Sequence, residues 1–65
     1  MADMKTIGQR LREARGDKTL QEVAPQIGIS YQMLSYLEHG TRQPSLETMT
    51  KLAAFYGKTL DELFA

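Results

Sequence analysis

Four polar side chains, Tyr31, Gln32, Ser35 and Tyr36, carry the chemistry most open to reading in this chain. On a helix their spacing turns them away from Leu34 and Leu37, which lie three apart and face one way. The outward face then offers a carboxamide, a hydroxyl and two phenols. Such groups both donate and accept hydrogen bonds, as reading the edges of base pairs requires. Gln32 is the best suited, because its amide can pair with the N6 and N7 of adenine. The face has no lysine or arginine. The strongest guanine contact is therefore absent, and the preference leans to A·T-rich contacts and groove shape.

No competing catalytic set emerges. The chain has one histidine, His39, and no cysteine. Its serines fall in helix caps or on the polar face, so no nucleophile–base–orienter trio forms. Asp61 and Glu62 are adjacent and cannot face each other on a helix. A lone histidine makes no metal site, and glycine-rich phosphate loops are missing. No enzyme, cofactor or small-molecule ligand is expected. No apolar run is long enough to span a membrane and no signal-peptide core begins the chain, so the expectation is a cytoplasmic protein.

Positioning the polar face takes an all-α frame of five short helices in one domain, residues 1–65. The first helix runs from about Met4 to Arg15, capped by Asp3, with Ile7, Leu11 and Ala14 as its apolar stripe. Gly16 ends it. The second opens on a Thr19–Glu22 capping box, and Leu20, Val23, Ala24 and Ile27 supply its apolar contacts. Pro25 inside it costs one backbone bond, which a kink or a short helix must absorb. Gly28 ends that helix, and Ser30 caps the polar-faced one, which Gly40 stops. Ser45 caps a fourth helix, with Leu46, Met49, Leu52, Ala53 and Tyr56 on its stripe. A second box, Thr59–Glu62, opens the fifth, with Leu60, Leu63 and Phe64 apolar. A helix this short is stable only when docked on the core.

Two helices joined at Gly28, the second with a polar face, make a helix-turn-helix. The motifs go further. Thr19-Leu20-Gln21-Glu22-Val23-Ala24, Ile27-Gly28-Ile29-Ser30, Leu37-Glu38-His39-Gly40, Arg42-Gln43-Pro44-Ser45-Leu46-Glu47 and Leu60-Asp61-Glu62-Leu63 follow one another in order. From about Ile7 to Phe64 the chain resembles the phage repressor/Cro class of bacterial regulators, the XRE family. That resemblance implies a lambda-repressor-like domain in which helices 2 and 3 form the motif and helix 3 enters the major groove of double-stranded DNA. It places Tyr31, Gln32, Met33, Ser35 and Tyr36 against bases, Met33 on a thymine methyl. It places the Leu20 amide, Ser30, His39, Thr41, Arg42 and Gln43 on phosphates. Arg15 and Glu38 match a pair that in this family ties helix 1 to the end of helix 3. The junction before Thr19 is shorter than the family's usual form. Leu20 stands where many members carry a phosphate-binding glutamine, so only its backbone amide can act.

Other readings stay open. Tyr36 can pack its ring on a neighbouring helix and expose only its hydroxyl, and His39 suits the negative end of a helix dipole. The chain carries eight basic and eight acidic residues, for zero net charge. That balance also fits a protein-interaction module that keeps the fold without specific DNA binding. On the DNA reading the protein acts as a homodimer and probes a palindromic operator as a repressor. Phe55, which falls off the Leu52–Tyr56 stripe, is the candidate exposed contact near Leu63 and Phe64.

Overall fold

Each expected cap holds its helix. In the computed structural model, which describes residues 1–65, the helices are α1 (Met4–Arg15), α2 (Leu20–Ile27), α3 (Tyr31–Glu38), α4 (Leu46–Tyr56) and α5 (Leu60–Phe64). The Asp3 carboxylate accepts from the Thr6 amide at 2.8 Å. Ser30 accepts from Met33 and Ser45 from Thr48. Both capping boxes close, Thr19 with Glu22 and Thr59 with Glu62. Accepting these amides favours the ionised carboxylate, so Asp3 and Glu62 titrate below their ordinary values.

α2 runs unbroken through Pro25 to Ile27. The helix is short, and Pro25 and Gln21 are both exposed, so the carbonyl that loses its donor lies at the surface. One turn on, the Gln26 side chain donates to the Glu22 carbonyl at 3.0 Å. Of the two ways to absorb the proline, the short helix suffices.

Ile7, Leu11, Val23, Leu34, Leu37, Leu52 and Leu63 are fully buried and form the centre, with Ala24, Ile27, Ala53 and Phe64 around them. α1 packs on α3 and α5, α2 on α3 and α4, and α4 on α5. α3 is thus gripped from two sides. The five-residue α5 is docked through Leu63 and Phe64. No helix is long and apolar enough to cross a membrane.

Three apolar residues depart from expectation. Leu46 is 67% exposed and Leu60 42% exposed, although Leu46 belongs to the apolar stripe of α4 and Leu60 to the apolar residues of α5. Each is the first residue of its helix. A side chain there leans over the turn before its own Cα, beyond the end of the packed stripe. Phe55 is not an exposed contact: it is half-buried, with its ring edge-on to Tyr56 at a centroid distance of 5.3 Å. Leu63 and Phe64 belong to the core, so the free apolar surface in this region is made by Leu46 and Leu60 and not by the residues expected.

Candidate nucleic-acid interface

The turn between α2 and α3 rests on Gly28, whose φ of 93° lies in the left-handed region that favours glycine. The amides of Gly28 and Ile29 both donate to the Ala24 carbonyl, at 3.0 and 3.2 Å. This closes the end of α2 and fixes where α3 begins. On α3, Leu34, Leu37 and Glu38 point inward. At 100° per residue, Gln32, Tyr36 and His39 then lie in line along the centre of the outward face, with Ser35 on one flank and Met33 on the other. Tyr31, Gln32, Tyr36 and His39 are exposed, while Met33 and Ser35 are half-buried. Tyr36 is 47% exposed, so its ring is not laid flat on a neighbouring helix.

The carboxyl end of α3 is tied down by polar contacts. His39 Nδ1 lies 2.7 Å from the Ser35 carbonyl. A carbonyl can only accept, so Nδ1 carries the proton and Nε2 faces outward. Nε2 donates to an anion only in the imidazolium form. The amide and hydroxyl of Thr41 both donate to the Tyr36 carbonyl, at 3.1 and 3.2 Å. The hydroxyl proton of Thr41 is therefore engaged within the fold. Arg42 and Gln43 are exposed in the loop beyond. At the other end, the Ser30 oxygen accepts from Met33, which leaves its own hydrogen free to donate. Leu20 begins α2, with its amide at the positive end of the helix.

Beneath the outward face sits the Arg15–Glu38 pair. Arg15 Nε donates to Glu38 Oε2 at 2.7 Å and Nη2 to Oε1 at 2.8 Å. Glu38 is 3% exposed. The fork is bidentate, and its hydrogen bonds raise the Arg15 pKa further above its ordinary value. Burial, and the Glu38 charge nearby, push the Tyr56 phenol up to about 12. The Tyr56 hydroxyl is buried without a partner.

Two residues central to this frame were missed in the sequence. Gly8 lies where α1 crosses the end of α3, so close that a Cβ there meets the Glu38 carbonyl oxygen. The signal was present as a glycine between Ile7 and Leu11, inside an otherwise regular stripe. Arg12 donates from Nη2 to the same Glu38 carbonyl at 3.1 Å. Nothing in its local sequence marks that contact.

A helix-turn-helix family model matches residues 9–63, which takes in α2, α3 and α4 whole, α1 from Gln9 onward and α5 as far as Leu63. The chain belongs to the phage repressor/Cro-type helix-turn-helix (XRE) family of transcriptional regulators. It is 44% identical over 57 residues to the HTH-type transcriptional regulator DdrOP3 of Deinococcus deserti, an alignment covering 85% of this chain and 44% of that protein. It is 41% identical over 56 residues to the cryptic phage CTXphi transcriptional repressor RstR of Vibrio cholerae, covering 83% of this chain and 50% of the relative. The chain spans about half the length of these curated relatives. No solved structure matches it. Within this XRE domain, α2 and α3 are the two helices of the motif, and α1 is the strut to which the second is bolted by Arg15, Arg12 and the close crossing at Gly8.

Proposed function

We propose that the chain binds double-stranded DNA sequence-specifically as a transcriptional regulator, a repressor that holds a palindromic operator as a homodimer. The observation that carries this reading is the row of Gln32, Tyr36 and His39 on the outward face of α3, rigidly held from behind, in a chain of this family. Gln32 reads adenine, with Tyr31, Ser35 and Tyr36 on neighbouring base edges and Met33 against a thymine methyl. The Leu20 amide, Ser30, His39, Thr41, Arg42 and Gln43 lie on phosphates and fix the register. Thr41 reaches its phosphate through a bridging water, since its own hydroxyl proton is engaged. A name containing "repressor" among the relatives supports the sign of regulation.

Selection from a random duplex pool supplies the operator on which the reading is tested. Gln32→Ala is expected to lose about 1–3 kcal/mol of binding at one base position and to leave non-specific binding unchanged. Equal loss on every sequence, measured by fluorescence anisotropy, removes Gln32 from base reading.

The palindrome implies a second copy. Half-sites of a dimeric helix-turn-helix lie about 34–36 Å apart. The domain measures 27 × 23 × 22 Å, so two copies bound to such half-sites sit side by side. The apolar surface that supports this contact is made by Met1, Leu46 and Leu60, around a shallow hollow of about 270 Å³ also lined by Met49. Leu46→Glu puts a charge on that surface without touching the core. It is expected to convert a sedimenting dimer to monomer. An unaltered dimer fraction across a concentration series moves the interface elsewhere.

A further inference from the structure

We infer that the DNA-contacting surface extends off the helix-turn-helix onto α1, where Lys5, Gln9 and Arg12 form a second seat for a backbone phosphate beside His39. This inference rests on the DNA-binding reading above. Its starting point is a problem of charge. The net charge is zero, and α3 has no cationic side chain. Affinity for DNA is largely electrostatic, so the phosphate contacts have to come from somewhere.

Of the other six cations, Arg15, Lys51 and Arg10 are engaged, whereas Lys18, Arg42 and Lys58 are in no ion pair. Arg15 is paired with Glu38, and Lys51 with Glu47. Arg10 donates to the carbonyls of Leu63 and Ala65, on the far side of α1. Lys58 lies in a hollow that also holds Glu13 and Glu62. Lys5 and Arg12 are exposed and in no ion pair. They are joined by Gln9 at spacings of four and three, which puts all three on one stripe of α1.

That stripe faces the carboxyl end of α3. Lys5, Gln9, Arg12, Glu38 and His39 line a hollow of about 260 Å³ without any apolar side chain. The α1 backbone at Lys5 abuts Gly40, where an added Cβ would stand 3.1 Å from the Lys5 Cα. His39 stands in line with Gln32 and Tyr36, so the hollow is continuous with the base-reading row at its carboxyl end. The one carboxylate that lines it, Glu38, is neutralised by the two-point contact with Arg15. Asp3, the acid nearest Lys5 in the chain, accepts from the Thr6 amide and feels the Lys5 charge without forming an ion pair with it. Arg12 uses one N–H on the Glu38 carbonyl and keeps others of its five for an incoming oxygen. Gln9 adds an amide donor between the two charges. A buffer of cations and an amide beside the base-reading row is suited to a phosphodiester oxygen of the same duplex.

The test is a salt series with a random 24-base-pair duplex and with the selected operator, on the wild-type chain, Lys5→Ala and Lys58→Ala. Lys5 is exposed and its side chain makes no hydrogen bond, so the variant folds as the parent does. One lost phosphate contact flattens the log–log salt slope by about 0.9 and weakens binding roughly 8-fold at 0.1 M salt. Lys5→Ala is expected to show both changes on both duplexes, and Lys58→Ala neither. Gln9→Ala is expected to weaken binding several-fold with an unchanged slope. Wild-type slope and affinity in Lys5→Ala overturn the second seat while leaving the base-reading face intact. A wild-type chain that binds neither duplex overturns the DNA reading itself, and the second seat with it.

Discussion

Replacing Gly8 by alanine is expected to cost about 2–3 kcal/mol of stability, a large share of the roughly 3–10 kcal/mol typical of a domain this size. An alanine Cβ at this position collides with the Glu38 carbonyl oxygen and stands 2.9 Å from its carbon and 2.9 Å from the Leu37 carbonyl oxygen. All three are backbone atoms, so no rotamer change relieves the clash. α1 and the end of α3 must move apart by about an ångström to restore ordinary contact distances near 3.5 Å. Overpacking of this kind costs about 1–3 kcal/mol in general, and about 3–4 kcal/mol where, as here, every obstructing atom is rigid backbone. The better helix propensity of alanine returns about 1 kcal/mol of it. Urea denaturation followed by circular dichroism measures the difference. A Gly8→Ala protein as stable as the parent would show that the two helices cross with room to spare. The effect also reaches function. The same displacement shifts His39 and the reading face relative to α1, so operator affinity should fall even at temperatures where the variant is fully folded.

The contrast between Gly8 and the caps shows what the sequence discloses. Asp3, Thr19, Ser30, Ser45 and Thr59 act within one turn of themselves, so their roles are written in residues three positions apart. Helix boundaries were legible for that reason, as was the outward face of α3, which follows from Leu34 and Leu37. The Arg15–Glu38 pair was legible only through the family resemblance, because residues 23 apart have no local signature. Where two helices cross depends on the whole packing, and periodicity is silent on it. Gly8 announced a close approach without naming the partner. Leu46, Leu60 and Phe55 fail in the same way. Their side chains follow the stripes of isolated helices, but the ends and edges of those stripes are decided by which neighbour is present. At the reading face itself, exposure of Gln32 was predictable, whereas the anchoring of His39 on the Ser35 carbonyl was not.

Removing Glu38 is expected to have the largest effect of any single change at a charged residue. Glu38→Ala leaves the Arg15 guanidinium, 18% exposed, with only the Lys18 carbonyl for a partner. Deleting one member of a buried pair costs about 3–5 kcal/mol, and the partial access of Arg15 to water places this case near the lower bound. Glu38→Gln keeps the volume and one acceptor, so it should lose less. The loss should persist in 1 M salt, because a buried pair is poorly screened. Breaking the exposed Lys51–Glu47 pair should change stability by less than about 1 kcal/mol at any salt. The decisive variant carries both Arg15→Met and Glu38→Leu. Apolar replacement of a whole buried pair is often neutral or stabilising, so most of the stability should return. Operator affinity then separates two roles. If it returns as well, the pair only fills space beneath α3. If it stays low in a protein of restored stability, the two-point fork is what sets the angle of the reading face. The expected result is the second. A bidentate contact fixes direction as well as distance, whereas Met and Leu can repack over a range of helix angles.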